Sequence, residues 1–183
     1  TGIHPSYLSK LSIVGNPVRA AVRALRGTSY PAPTPDGSFE LLVTGGSQGA
    51  AILASVVPDA LALLSEAQRG RIRLTQQVRP EQIEELRGTY ATSGVMAELA
   101  PFFSDIPQRL NVAHLVIGRA GASTVAELTC IGRPAILVPL PHAAQDHQTI
   151  NARAFADAGA GWMIAQPLFT AEALAERLRE LLS

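Results

Sequence analysis

The stretch that decides the fold spans residues 116–148 and reads VIGRAGASTVAELTCIGRPAILVPLPHAAQDHQ. It begins with an apolar run typical of a buried strand, which is followed by a turn of small residues and a helix predicted to open at Ser123. The GRP segment at 132–134 predicts the end of that helix. A second apolar run then leads through a proline-rich turn to a polar cluster at 145–148. This order of strand, tight turn, helix, strand and loop predicts a parallel βαβ unit.

The loops of this unit carry groups that suit a ligand. A small turn before a helix exposes backbone N–H groups, and these favour an anion such as phosphate. Glu127, one turn into the helix, suits a pair of ribose hydroxyls, and the amide and imidazole side chains at 145–148 suit a polyol. Both loops are predicted at the carboxyl ends of strands, where ligands of open α/β sheets bind. We interpret them together as a nucleotide-sugar site, although a βαβ unit needs a tight turn and a capped helix for structural reasons alone.

Composition limits the classes of protein to which the chain can belong. The 183 residues are 47% hydrophobic and 16% charged, with a formal net charge of zero, which fits one globular domain. Balanced charge gives no electrostatic footprint for nucleic acid. The single cysteine, Cys130, excludes an internal disulfide and a cysteine-rich metal site, and we interpret it as a small buried apolar residue. No apolar run reaches the length of a membrane span and no signal peptide is visible. Because the chain begins at Thr1 and not at Met, we expect a fragment or a processed chain.

The predicted elements divide the chain into an N-terminal segment, residues 1–37, and a βα core, residues 38–183. The N-terminal segment is predicted to hold a helix with Asn16 as its N-cap and Pro17 as its first residue, followed by a proline-rich loop. The core is predicted to hold strands at 39–44, 72–77, within 95–103, at the two runs quoted above and at 161–164. Helices are predicted at 48–66, at 80–92, after Asp105, at 151–158 and after Thr170. About six strands alternating with helices predict an α/β, Rossmann-like domain with a parallel sheet.

A glycine-rich turn, GGSQG at 45–49, follows the first strand of the core. It has neither the G-x-G-x-x-G spacing of dinucleotide sites nor the lysine of a P-loop, which disfavours both functions. Ser47 supplies a hydroxyl donor. By its letters the turn also matches the G-x-S-x-G of a hydrolase nucleophile elbow. Asp146 and His147 are adjacent in sequence and therefore too constrained to act as the acid and base of a triad, so a hydrolase is the weaker hypothesis.

Metal chemistry has little support in the sequence. The four histidines form no H-x-x-x-H pair, and no D-x-D carboxylate pair occurs. A sugar transfer without such a pair needs helix N-termini and an arginine to stabilise a leaving diphosphate. Arg19, which follows the rigid Asn-Pro turn, is the candidate. We therefore expect no metal and no cofactor.

Five blocks resemble the MurG family of UDP-GlcNAc:lipid I N-acetylglucosaminyltransferases in order and spacing. They are VGNPVR (14–19), LVTGGSQGA (42–50), RAGASTVAEL (119–128), GRPAILVPLP (132–141) and DHQTINA (146–152). The resemblance covers nearly the whole chain, but only the C-terminal, donor-binding half of that family's two-domain GT-B fold. It implies a role in adding GlcNAc to lipid I to make lipid II in peptidoglycan synthesis.

The resemblance also implies a role for each matching residue. Arg19 and Ser47 would meet the diphosphate of UDP-GlcNAc, and the backbone at Phe103 would pair with uracil. The α-phosphate would lie at Ala122, Ser123 and Thr124. Glu127 would bind the ribose hydroxyls, and Gln148, with His147 beside it, would hold the GlcNAc hydroxyls.

The family's N-terminal domain, which carries the acceptor site, the catalytic base and the membrane-facing patch, has no counterpart in this sequence, and neither does its final crossing helix. The resemblance therefore places lipid I binding, and association with the inner face of the bacterial plasma membrane, in a part outside this chain, and implies that the isolated chain is inactive. Two alternatives stay open. One is a stand-alone donor subunit completed by a separate acceptor subunit, and the other is a non-catalytic nucleotide-sugar binding module.

Overall fold

The computed structural model describes residues 4–12, 14–45, 51–141 and 146–183. The strands are β1 (Phe39–Thr44), β2 (Ile72–Gln77), β3 (Met96–Ala100), β4 (Leu115–Gly118), β5 (Ala135–Leu137) and β6 (Gly161–Met163). The α-helices are α1 (Ala20–Arg23), α2 (Ala51–Ala62), α3 (Glu66–Arg71), α4 (Ile83–Ser93), α5 (Ile106–Val112), α6 (Ala122–Ile131), α7 (His147–Asp157) and α8 (Ala171–Leu181). Short 3-10 turns lie at Pro5–Lys10, Pro80–Gln82 and Gln166–Leu168.

The six described strands form one sheet in the order β3-β2-β1-β4-β5-β6, with every neighbouring pair parallel. This confirms the predicted Rossmann-like α/β fold. The chain leaves β1 toward β2 and β3 and then returns to place β4 on the other side of β1. The carboxyl ends of β1 and β4 therefore flank the topological switch point, the crevice in which open α/β sheets bind ligands.

Helices cover the sheet on both sides, which explains why the central strands are apolar on both faces. Along β1, Leu41 and Val43 pack into a core built with α2, α4 and α8. Leu42, which points to the opposite face, packs into a second core built with α1, α5, α6 and α7. The strand-helix-strand connections therefore hold the loops at the carboxyl edge on a rigid base.

Several helix boundaries differ from the sequence-based predictions. The first helix begins at Ala20 with Arg19 at the N-cap position, so the assignment of Asn16 as N-cap and Pro17 as first helical residue was wrong. The helix predicted to reach position 66 ends at Ala62, because Ser65 starts a separate helix through a capping box.

The remaining differences lie at helix starts near the carboxyl edge. Helix α6 begins at Ala122, one residue before the predicted Ser123, and α7 begins at His147, four residues earlier than the predicted start. Asp105 occupies the N-cap position of α5 as predicted, but its side chain makes no capping hydrogen bond. Thr170 caps α8 as predicted, with its hydroxyl accepting from the Ala173 N–H.

Across the described ranges, no helix has the length and apolar character that a membrane crossing requires.

Candidate functional site

A cavity of about 520 Å³ lies at the switch point. It is lined by the carboxyl ends of β1 and β2, the segment after β3, the first turns of α6, and Arg19. Four of the residues predicted from sequence meet in it: Arg19, Phe103, Thr124 and Glu127. They come from three regions of the chain, so the sheet order brings them together.

Arg19 and Glu127 form a bidentate ion pair in the lining of the cavity. The Arg19 Nε lies 2.5 Å from one carboxylate oxygen of Glu127 and its NH2 lies 2.8 Å from the other. The Arg19 side chain is 54% exposed, whereas that of Glu127 is 12% exposed. The hydrogen bond and charge of Glu127 raise the pKa of Arg19 above its ordinary value. A largely buried carboxylate and a more exposed guanidinium are therefore held together where a ligand would enter.

The turn after β4 leads directly into α6. Gly121 takes the N-cap position in an extended conformation and makes no side-chain cap, and the first turn of α6 contains no acidic residue. The N–H groups at the start of a helix have no partner within it. Those of Ala122, Ser123 and Thr124 are therefore available to an anion, and the helix dipole adds partial positive charge there.

Glycine is required just before this turn. A Cβ atom at Gly118 would lie 2.8 Å from the carbonyl oxygen of Thr44 at the end of β1. A side chain there would push apart the two strands that flank the switch point.

The segment after β3 forms another wall of the cavity. Phe103 is only 6% exposed, whereas its neighbour Phe102 is 73% exposed. The Gln77 side chain donates from Nε2 to the Pro101 carbonyl oxygen at 3.0 Å and accepts from the Thr44 hydroxyl at 3.0 Å. The carboxyl ends of β1 and β2 are thus linked to the start of this segment.

The loop after β5 brings the predicted sugar-binding residues to the start of α7. His147 is the first residue of that helix, and Asp146 before it has a positive φ of 52°. The Gln148 Oε1 accepts from the Leu140 N–H at 3.0 Å. Because the side-chain oxygen is held by the backbone, the amide N–H₂ is the group that Gln148 offers to a ligand. Neither His147 nor Gln148 lines the cavity at the switch point within the described residues.

Arg119, directly after β4, forms hydrogen bonds to the segments that follow β5 and β6. Its guanidinium donates to the carbonyl oxygens of Val138 and Pro139, both at 3.1 Å, and to the Gln166 Oε1 at 2.7 Å. Partial burial lowers the pKa of Arg119 from its ordinary value. Asn151 adds a further link by donating to the Ala120 carbonyl oxygen at 3.1 Å. Hydrogen bonds therefore connect the turn before α6 to residues 138–139 after β5 and to helix α7.

Sequence reasoning missed four residues at this edge: Thr44, Gln77, Phe102 and Arg119. Their position directly at or after the end of a strand is the signal that could have indicated them. Ser47 lies outside the described residues, so its predicted place stays a prediction. Cys130 was interpreted as a small buried apolar residue. It packs against the second core but is only half-buried.

Comparison with known proteins agrees with this geometry. The protein-family model for the glycosyltransferase family 28 C-terminal domain matches residues 40–183 of the sequence. A protein of Rhodospirillum rubrum is 60% identical over 170 residues, which are 93% of this chain and 44% of the relative. One from Paramagnetospirillum magneticum is 56% identical over 179 residues, covering 98% of this chain and 48% of the relative. Both are named UDP-N-acetylglucosamine--N-acetylmuramyl-(pentapeptide) pyrophosphoryl-undecaprenol N-acetylglucosamine transferase.

A solved structure is also similar. The crystal structure of MurG from Acinetobacter baumannii superimposes with a TM-score of 0.74 at 34% identity, over 85% of this chain and 46% of that chain. The chain thus spans about half the length of the relatives it matches. The family resemblance drawn from the five sequence blocks is confirmed. The chain belongs to the glycosyltransferase family 28 C-terminal domain family.

Proposed function

We propose that this chain is the UDP-GlcNAc-binding half of a transferase that adds GlcNAc to lipid I and so forms lipid II. The observation that carries the proposal is the switch-point cavity, in which the largely buried Glu127 carboxylate, an arginine, the open start of a helix and the segment after β3 meet. These groups match the three parts of a nucleoside diphosphate, which are the base, the ribose and the phosphates. The names of the relatives supply the sugar and the acceptor.

The nucleotide is proposed to lie across the ends of β1 and β4. The Phe103 backbone pairs with uracil, and the Glu127 carboxylate accepts from the ribose hydroxyls. The N–H groups of Ala122, Ser123 and Thr124 hold the α-phosphate, while Arg19 and Ser47 meet the remaining negative charge. This order places the sugar toward the start of α7, where His147 and Gln148 contact its hydroxyls.

Transfer is proposed to proceed without a metal ion. The departing diphosphate gains negative charge, and the α6 N-terminus and Arg19 can stabilise that charge by hydrogen bonding and dipole. No group of three or more His, Cys, Asp or Glu side chains is arranged to hold a metal ion in the part of the chain that the structure describes.

The acceptor site and the catalytic base are proposed to lie in the other half of the full-length family member. That half would also bring the enzyme to the inner face of the bacterial plasma membrane. Holding an acceptor hydroxyl in line with the anomeric carbon can supply about 7–11 kcal/mol of the barrier, so the 183-residue chain alone is expected to bind donor without transferring sugar.

Titration calorimetry with UDP-GlcNAc, in the presence and absence of EDTA, tests the binding proposal. We expect one site of unchanged affinity under both conditions and much weaker binding of ADP-glucose, which differs in base and sugar. Loss of binding in EDTA would contradict the metal-free reaction, and absence of binding in both would contradict the assigned donor. A radiolabelled transfer assay with a lipid I analogue, run with this chain and with a full-length family member, tests whether sugar transfer needs the other half.

A further inference from the structure

One arginine, Arg109, contacts two residues of the segment 101–105, which lies between β3 and α5. Arg109 lies one turn into α5, with its guanidinium carbon 4.3 Å from the centre of the Phe103 ring. A guanidinium stacked over an aromatic face at this distance is attracted to it, and more strongly when both groups are shielded from water. The ring is nearly buried and the Arg109 side chain is only 20% exposed.

The guanidinium is itself fixed on three sides. Its Nε donates to the Asp105 carboxylate at 2.8 Å, and its two terminal nitrogens donate to both carboxylate oxygens of Glu98, at 2.6 and 2.9 Å. A further bond of 3.1 Å reaches the Thr75 hydroxyl on β2. Arg109 therefore connects β2, β3 and the end of the segment to the Phe103 ring.

The other end of the segment is fixed independently. Gln77 donates to the Pro101 carbonyl oxygen at 3.0 Å. Between this anchor and Arg109, the Phe103 backbone has little room to shift, while the Phe102 side chain beside it stays 73% exposed.

We propose that Arg109 is a positioning residue that fixes the Phe103 backbone for base recognition and thereby sets the preference for uracil. This inference rests on the proposed function, because it assumes that the Phe103 backbone pairs with the base. Uracil offers a carbonyl acceptor and an N–H donor on its pairing edge, whereas cytosine offers an amino donor and a ring-nitrogen acceptor. A backbone N–H and C=O held in one place accept the first pattern and reject the second.

The test compares the affinities of UDP and CDP for the wild-type chain and for Arg109→Met, which keeps an unbranched apolar stem without the guanidinium. We expect UDP binding to weaken about tenfold, while CDP binding changes little, so that the preference for UDP falls by a similar factor. Arg109→Lys keeps the charge without the planar group and is expected to fall between the two. Arg87→Met is the matched control, because Arg87 forms an exposed ion pair with Glu84 on α4.

The outcomes separate this inference from the proposed function. A folded Arg109→Met variant that keeps the wild-type preference, or that loses UDP and CDP equally, overturns the inference alone. A wild-type chain that binds neither nucleotide overturns the proposed function. If Arg109→Met does not fold, Phe103→Leu removes the stacked ring while keeping an apolar side chain. It is expected to lower the UDP preference in the same way, and an unchanged preference in that variant also overturns the inference.

Discussion

Replacement of Glu127 by alanine is the most direct perturbation of the proposed nucleotide site. The carboxylate is 12% exposed, and both of its oxygens already accept from Arg19. A carboxylate has about four lone-pair positions, so the ribose hydroxyls can bind without displacing the arginine. Glu127→Ala removes the acceptor of those hydroxyls and leaves Arg19 without its partner.

The magnitude follows from the kind of hydrogen bond that is lost. Hydrogen bonds to a charged group contribute about 1.5–3 kcal/mol each. Because Arg19 already neutralises much of the charge, we expect that figure for the pair of ribose bonds together. This corresponds to about a 10- to 150-fold loss of affinity, at roughly 1.4 kcal/mol per factor of ten. The loss should be equal for UDP and UDP-GlcNAc, because the contact is to the ribose that they share.

Titration calorimetry with both ligands measures the effect, and thermal unfolding shows whether the variant is folded. Because the Arg19 side chain is 54% exposed, water can solvate its guanidinium after the carboxylate is removed, and we expect Glu127→Ala to remain folded. Glu84→Ala, which breaks the exposed pair with Arg87 on α4, is the control and should bind both ligands normally. Unchanged UDP affinity in folded Glu127→Ala would refute the ribose contact and leave Glu127 as a structural partner of Arg19.

Three further predictions concern single side chains. Gln148→Glu keeps the acceptor for the Leu140 N–H but removes the amide donor, so calorimetry should show weaker UDP-GlcNAc binding and unchanged UDP binding. Tyr90→Phe leaves the buried Gln76 oxygen without its 2.5 Å donor, which should lower the free energy of unfolding by about 1–3 kcal/mol in urea titrations. Burial lowers the pKa of His114 below its ordinary value of 6.5. The unfolded chain therefore binds the proton first, and stability should fall as the pH drops below about 6.5; a His114→Gln variant that retained this slope would contradict the assignment.

The strands and the loops at their ends were predictable because their signals are local. Apolar runs marked β1, β4 and β5, and small residues marked the turn before α6, since these patterns reflect burial and backbone freedom at neighbouring positions. The capping sequence that begins at Ser65 was equally local and could have shown that the second helix ends early. Asn16 and Pro17 misled the prediction because their local signal for a helix start competes with the packing of the short helix α1 against α6.

The sequence by itself determined the alternation of strands and helices, the family and the residue types available to a nucleotide. Only the tertiary structure decided which of them meet. Arg19 and Glu127 are 108 positions apart and pair because the sheet places β4 beside β1 and the α1 segment against α6. Arg109 likewise reaches the Thr75 hydroxyl, 34 positions away, because helix α5 packs beside β2 and β3. Such contacts follow from the packing of the whole sheet and its helices, which no local pattern of residues encodes.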